Sequence, residues 1–417
     1  MLLLFALGAS AQQQFRIWQG EESSRFSISD YQFMTFSEDG TKITIGSKKS
    51  TANPVTFDVA AIDSIVLIRQ VKVAYDNDKD TAIVTIPEAL EAYVTAEVKG
   101  AHVVITNTNE KNEIECELSG TASNGSFTYI GTYKASIRLA GVSLTSGQGA
   151  ALDIKCGKRI ALILENGTEN TLADYASGTQ KACLYCKGHL EVEGGGTLNV
   201  TGNLTHAIKT KEYLQLKKSV GTINILGAAS DAIHAGQYYQ QNGGTLNITS
   251  TTIGDGIQAE IMTLEDDVTP VPDKEKNGQV IIKGGTLNIE VTHEDSKGIK
   301  CDSLCTILGG TFIILASGNG SRGIQAGGDI ILGESGLGVT TPKITVTATG
   351  TYCTAEADAE DPHRCMGIKG DKNMNIYSGA IQATATGKGG RSVKLDGNYN
   401  KYGGAVKATP TIRAANI

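Results

Sequence analysis

Gly243-Gly244-Thr245-Leu246-Asn247-Ile248, followed by Gly256-Ile257-Gln258, is the stretch on which the reading of this chain turns. Its first half returns as Gly195-Gly196-Thr197-Leu198-Asn199-Val200, Gly221-Thr222-Ile223-Asn224-Ile225, Gly284-Gly285-Thr286-Leu287-Asn288-Ile289 and Gly309-Gly310-Thr311-Phe312-Ile313-Ile314. Its second half, a small residue, Ile and a polar residue, returns as Ala207-Ile208-Lys209, Ala232-Ile233-His234, Gly298-Ile299-Lys300, Gly323-Ile324-Gln325, Gly367-Ile368-Lys369 and, more loosely, Ser392-Val393-Lys394. The β-branched positions of these steps are separated by 25, 24, 42, 25, 44 and 25 residues. A fixed period of this size marks a repeat architecture, and alternation with β-branched residues makes the repeat one of strands. About 25 residues without a helical segment hold three short strands and three bends, the content of one rung of a parallel β-helix. The expected fold is therefore all-β: a single-stranded parallel β-helix of about nine or ten rungs. The two long gaps read as exposed insertions at 265–278 (Glu265-Asp266-Asp267, Pro270, Pro272) and 334–363, both of loop composition.

Within each repeat the inward Ile or Leu stacks on its neighbours, so stability accumulates along the array. The outward Asn199, Asn224, Asn247 and Asn288 are expected to form an amide ladder that holds register. The solenoid begins near Ile137-Arg138-Leu139 and Val142-Ser143-Leu144. Upstream, Phe33–Phe36 and Lys42–Ile45 flank Asp39-Gly40, a hairpin signal. With Val55–Phe57 and Ile65–Ile68 they make a small β module over 12–70. The run Asp76-Asn77-Asp78-Lys79-Asp80 resembles the start of a calcium loop, but it lacks the Gly and distal Glu of such a loop and reads as a polar turn.

Composition narrows function. The 417 residues include 50 Gly; aromatic residues are 6% and hydrophobic ones 40%, which fits many tight bends and thin strand layers. A net charge of −7 excludes generalised nucleic-acid affinity. No apolar run is long enough for a transmembrane helix. Leu2–Ala11 reads as a signal-peptide core ending in Ala9-Ser10-Ala11, so the expected location is exported: periplasm, cell surface or medium.

Eight cysteines are few for this length. The Cys183/Cys186 and Cys301/Cys305 spacings admit a zinc site. The repeat register instead puts Cys186 and Cys301 in an inward slot shared with Ala235, Ala259, Ala326 and Gly370, as buried thiols. Cys156 falls in the same slot one rung earlier, within disulfide reach of Cys186. Cys353 and Cys365 flank the second insertion, where a closing disulfide fits an exported protein.

No nucleophile elbow, phosphate loop, HExxH or Ser/His/Asp set is present. What carries chemistry is one outward face. Directly after the Ile lie Lys209, His234, Gln258, Lys300, Gln325, Lys369 and Lys394. Two positions before it lie His206, Asp231, Asp255, Lys297 and Arg322; three after it lie Lys211, Glu260, Asp302, Asp371 and Asp396. Stacking brings Asp231 and Asp255 together, and like charges that close call for a proton or a cation. Asp231, Asp255, Glu260 and Asp302 are the candidate calcium ligands. The competing reading of Asp231 and Asp255 is that both cap turn amides. Lys209, His234, Lys300, Lys369 and Lys394 are the candidates for carboxylates of an acidic polysaccharide. Tyr213 and Tyr238, with Tyr239, Tyr399 and Tyr402, are expected to be exposed for stacking on sugar rings. The alternative reading of the face is a solvated strip of alternating Lys and Asp.

The run Gly131-Thr132-Tyr133-Lys134-Ala135-Ser136-Ile137-Arg138-Leu139, then Gly141–Ser146 and Gly149-Ala150-Ala151, resembles the opening of the bacterial β-helical carbohydrate-binding domain-containing protein family. Glu165–Leu172, Leu198–Asn203 with His206-Ala207-Ile208, and the repeated Gly-Gly-Thr-Leu-Asn-Ile extend the resemblance over about 75–408. It implies an exported right-handed parallel β-helix, related in shape to pectate-type polysaccharide lyases. It also implies binding of plant-type or acidic polysaccharides with calcium, without established catalysis. Residues 15–70 resemble a leader segment of such proteins from gut Bacteroidetes. The expected division is a signal peptide at 1–11, the β module at 12–70, a β-helical carbohydrate-binding domain at 71–408 and a tail at 409–417. Where the family often has Asp before Gly-Ile, this chain has Lys297 and Arg322, which leaves Asp231 and Asp255 as the better calcium positions. Two alternatives stand beside binding. One is a calcium-dependent lyase using Lys209 or Lys300 as base; the other is a structural or adhesive surface protein.

Overall fold

A computed structural model describes residues 13–20, 22–27, 31–48, 53–249, 252–263, 271, 273–336, 340–353 and 363–417. The expected signal segment 1–11 lies outside these residues. So do Glu265, Asp266, Asp267, Pro270 and Pro272 of the first insertion and residues 337–339 and 354–362 of the second. Among the described residues no helix is long and apolar enough to cross a membrane.

The strands fall into a 24-stranded sheet, a 12-stranded sheet and a three-stranded sheet. From Ala135 onward the described strands pair in parallel, each with the one a repeat later, and only the isolated bridge Tyr352–Arg364 is antiparallel among the described residues. In the 12-stranded sheet Leu152–Lys155, Ala182–Cys186, His206–Thr210, Ile233–Ala235, Ile257–Ala259, Lys297–Cys301, Arg322–Ala326, Met366–Gly370 and Arg391–Leu395 follow one another in this way. The 24-stranded sheet holds two such ladders. One runs from Ile160–Leu164 to Tyr399–Lys401, the other from Glu169–Asp174 to Ala405–Thr409.

This organisation corrects the expected single-stranded β-helix of nine or ten rungs. Among the described residues the strands form two large, mostly parallel sheets, with no set of equal closed rungs. The reason is local. Ala135–Ser146 is one 12-residue strand whose first part pairs with Ile160–Leu164 and whose second part pairs with Glu169–Asp174. It joins both ladders into a single sheet. A sequence period reports which strand pairs with the next copy of itself; it does not report which ladders a long strand connects.

The N-terminal strands also belong to the large sheet. Gln13–Gln19 pairs antiparallel with Glu22–Ser27 and with the first half of Ser64–Asp76. The same Ser64–Asp76 strand then pairs parallel with Ile114–Ala122, so a boundary after residue 70 falls inside one continuous strand. Tyr31–Phe36, Lys42–Ser47 and Val55–Asp58 form the small antiparallel sheet around a core of Phe15, Ile17, Phe26, Met34, Ile43, Ile45 and Phe57. The Asp76–Asp80 run is the turn of the antiparallel hairpin Ser64–Asp76/Thr81–Thr85. One buried cation ties the N-terminal strands to the rest. Arg16 is 0% exposed and donates to Glu113 (3.3 Å), Ser136 (3.2 Å) and Glu193 (3.2 Å).

The main core runs the length of the repeats. Ile208, Ile233, Ile257, Ile299, Ile324, Ile368 and Val393 are each no more than 1% exposed. Burying a side chain of this kind contributes about 1.5–3 kcal/mol. The small residue before Ile follows from close backbone approach. A Cβ on Gly298 would lie 2.6 Å from the Gly323 carbonyl oxygen and 2.5 Å from Ile314 Cγ2. The amide ladder forms as expected. Asn224, Asn247 and Asn288 each donate to the preceding Asn at 2.8 Å, and Asn199 donates to Glu169 at 2.8 Å. It stops at Ile313, which pairs with Asn288.

Candidate functional site

Parallel register places the residues that follow each inward Ile in one line on the outer face of the 12-stranded sheet. Strand partners connect Asp153, Tyr185, Lys209, His234, Gln258, Lys300, Gln325, Lys369 and Lys394 in that order. Adjacent members are separated by one strand spacing, about 4.8 Å. The candidates Lys209, His234, Lys300, Lys369 and Lys394 therefore share one line. Their charges are partly committed within the face. Lys369 donates to Asp371 and, at 2.7 Å, to Asp396, and Lys394 donates to Asp396 at 2.5 Å. Lys300 Nζ stands 3.7 Å from Asp255.

The face is most densely built around Asp231. Its Oδ2 lies 2.8 Å from His234 Nδ1 and 3.3 Å from His206 Nδ1. Its Oδ1 accepts the Asp255 amide at 2.8 Å. The far nitrogen of His234, Nε2, is 3.1 Å from Glu260 Oε2, and Lys209 Nζ is 3.4 Å from His206 Nε2. The two imidazoles tilt toward each other at a centroid distance of 4.6 Å. Burial works to raise the Asp231 carboxyl, yet His206, His234 and the Asp255 amide outweigh it and hold the group well below the usual carboxylate range. Asp255 moves the other way. Burial first, and the neighbouring Asp231 charge, push it up to about 6 against the pull of Lys297 and Lys300. Burial also pushes His206 and Lys209 below their ordinary values.

The four expected calcium ligands do not converge. Asp231 and Asp255 each accept a turn amide, Asp255 from Lys297 at 2.7 Å. Glu260 is taken by His234 and by Gln258 at 2.8 Å, and Asp302 accepts the Ile261 amide at 3.1 Å. Calcium requires six to eight oxygens, and these carboxylates present no such set. Among the described residues the side chains that do converge as metal ligands are His206 with Asp231 and His234, and Asp295 with Cys353 and His363. The sequence reading placed His206 in the right column but gave it no role. The signal available there was His206 two positions before Ile208, one repeat ahead of Asp231 in the same place.

Tyr213, Tyr238 and Tyr239 lie off this line and are buried, which corrects their expected exposure, whereas Tyr399 is half-buried. Tyr213 is 7% exposed and Tyr238 3%. Tyr213 stacks on Tyr238 at 4.7 Å, packs against His189 at 4.5 Å and donates to Glu191 at 2.9 Å. The Lys276 ammonium sits 5.3 Å over the Tyr238 ring. The faces that a sugar would use are filled by protein. Tyr402 is exposed and stacks on Tyr377 at 5.0 Å. The Tyr213–Tyr238 pair forms one wall of a cleft of about 750 Å³, which Trp18, Arg159, Glu191 and Lys217 also line. Sequence reasoning missed this cleft, because its walls come from residues 18 to 276 and no motif spans them.

The cysteine slot holds in part. Cys301 pairs with Ala259 and Ala326, and Cys186 shares its column with Thr210. Ile154, not Cys156, is the residue that precedes Cys186 in that column. Both Cys156 and Cys186 are free buried thiols. The Cys365 thiol is also free and faces the Ala316 and Gly318 carbonyls.

A family model described as carbohydrate-binding domain-containing protein matches residues 99–411. A protein of Acetivibrio thermocellus with that same description is 28% identical over 109 residues, 24% of this chain and 38% of the relative. The chain thus matches well under half of that relative's length. A solved polysaccharide lyase-like protein from C. thermocellum, studied as a gadolinium derivative, covers 66% of this chain and 96% of its own at 20% identity and a TM-score of 0.47.

Proposed function

This chain belongs to the carbohydrate-binding domain-containing protein family, and from that premise we propose that it binds polysaccharide along the outer face of the 12-stranded sheet. One observation supports the placement above the others: the unbroken line Lys209, His234, Gln258, Lys300, Gln325, Lys369, Lys394. A linear array of donors at one strand spacing suits a ligand that is itself a repeating chain, because each added residue can meet an equivalent group. An acidic polymer is the finer part of the reading. The half-buried lysines would exchange their partners Asp371, Asp396 and Asp255 for uronate carboxylates.

Affinity electrophoresis on polygalacturonate, a neutral glucan and host glycans tests this. The expected result is retardation of the wild-type chain on at least one polysaccharide, weakened about tenfold by Lys300→Ala combined with Lys369→Ala, a loss of about 1.4 kcal/mol. Loss confined to polygalacturonate supports the acidic ligand. Equal loss on neutral polymers leaves binding but removes charge as its basis. No retardation on any polymer removes the proposal. Chelation of calcium is expected to leave retardation unchanged, since the carboxylates face internal donors. Growth of an unsaturated product on polygalacturonate would instead favour the lyase alternative, with Lys300→Ala abolishing it.

A further inference from the structure

We propose that His206, Asp231 and His234 form a binding site for one divalent transition metal of the zinc type, in preference to calcium. The proposal is independent of sugar binding and rests on four features of the cluster. First, the three ligand atoms lie within 4.8 Å of one another, with Asp231 Oδ2 2.8 Å from His234 Nδ1 and 3.3 Å from His206 Nδ1. Tetrahedral zinc with ligand bonds of 2.0–2.2 Å sets its ligands roughly 3.4 Å apart, so small side-chain rotations suffice. Second, the donors are two imidazole nitrogens and one carboxylate oxygen. That set suits zinc, copper or nickel, whereas calcium takes oxygen.

Third, the surrounding groups orient the ligands. Glu260 Oε2 lies 3.1 Å from His234 Nε2 and can hold the ring proton there once a metal takes the place of the proton that Nδ1 shares with Asp231 at 2.8 Å. The Asp255 amide holds Asp231 Oδ1 and so directs Oδ2 to the two histidines. Fourth, His206 Nδ1 is buried and, among the described residues, is held only by a long and poorly aligned contact to Asp231 Oδ2 at 3.3 Å. A buried nitrogen with so weak a contact has room for a better partner.

One group opposes the metal. Lys209 Nζ is 3.4 Å from His206 Nε2, the atom that must carry the proton when Nδ1 binds metal. Lys209 therefore weakens the site, and a side chain with an acceptor in its place strengthens it. Three protein ligands leave a fourth position for water or a ligand hydroxyl.

The test is titration calorimetry of the full chain, washed with chelator, against zinc chloride and calcium chloride separately. Far-UV circular dichroism checks that each variant is folded. The expected result is one equivalent of zinc bound more tightly than calcium. Affinity should fall at least about tenfold in His206→Gln and in His234→Gln, and about ten- to a hundredfold in Glu260→Ala. Lys209→Gln should bind more tightly than wild type. Cys353→Ser, which alters the second cluster of possible ligands, should leave the affinity unchanged. The proposal is overturned if wild type binds no stoichiometric zinc, if calcium binds more tightly, or if folded His206→Gln and His234→Gln bind as well as wild type.

Discussion

Asp255 shows how a single carboxyl can set a pH response. Its folded value is about 6, raised chiefly by burial from the ordinary 3.8. Between those values the folded state holds a proton that the unfolded chain has released, so this group's contribution falls as pH rises. Two pH units amount to roughly 3 kcal/mol. The neighbouring Asp231 acts in the opposite direction: its value is depressed, so its contribution is present above the ordinary range and fades as pH falls. In Asp255→Asn the Oδ1 acceptor for the Lys297 amide is kept and the charge is removed. That variant, treated with chelator, is expected to lose stability less steeply than wild type between pH 4 and 6, as read by the midpoint of urea unfolding. An identical slope in the two proteins would remove Asp255 as the cause. The sequence already suggested that two stacked aspartates call for a proton or a cation. Which of the two would take the proton, and that histidines would hold the other ionised, needed the burial and distances of the folded chain.

At the scale of the element, two features of the repeat make contrasting predictions. Asn224 both donates to Asn199 and accepts from Asn247, so Asn224→Ala removes two half-buried hydrogen bonds and is expected to cost about 1–2 kcal/mol. Glycines in and before the strands are not equivalent. Gly298→Ala forces a methyl against the Gly323 carbonyl and Ile314, and should destabilise by about 1–3 kcal/mol. Gly227→Ala meets only the Thr201 Cγ2 at 3.8 Å and should be neutral or stabilise by about 0.4–1 kcal/mol. Thermal melts of the two variants side by side check this; equal effects would show that close approach is not what selects glycine before Ile. The amide ladder and the line of Lys, His and Gln were both legible as columns, because parallel pairing with a fixed period leaves each repeat position opposite its own copy. The burial of Tyr213 and Tyr238 was not legible. Ring exposure depends on what packs from outside, and Trp18 and Lys276 of the same cleft come from distant parts of the chain.

At the scale of the molecule, Arg16 links the N-terminal strands to the repeats through Glu113, Glu193 and Ser136. Burial raises the Glu193 carboxyl and the Arg16 charge opposes that rise. Replacing Arg16 by Met removes the buried cation nearest these acids, leaving Arg159 at 3.8 Å from Glu113, and is expected to cost up to about 3–5 kcal/mol. It should lower the melting temperature without changing zinc affinity; a melting temperature equal to that of wild type would show that the pair does not anchor the N-terminal strands. Alternation and spacing alone establish that the chain is all-β, that most of its steps recur every 24 or 25 residues, and which residues share most of the columns. Those properties follow from local alternation and from a period, both of which a linear text carries. The folded chain, and not the spacing, shows that the long strand Ala135–Ser146 joins two ladders into a 24-stranded sheet. It also shows that Asp231, Asp255 and Asp302 accept backbone amides and that Asp231 and Glu260 face histidines. Both outcomes depend on where a strand bends and on which donors reach a buried oxygen, and these are properties of packing across the chain rather than of spacing along it.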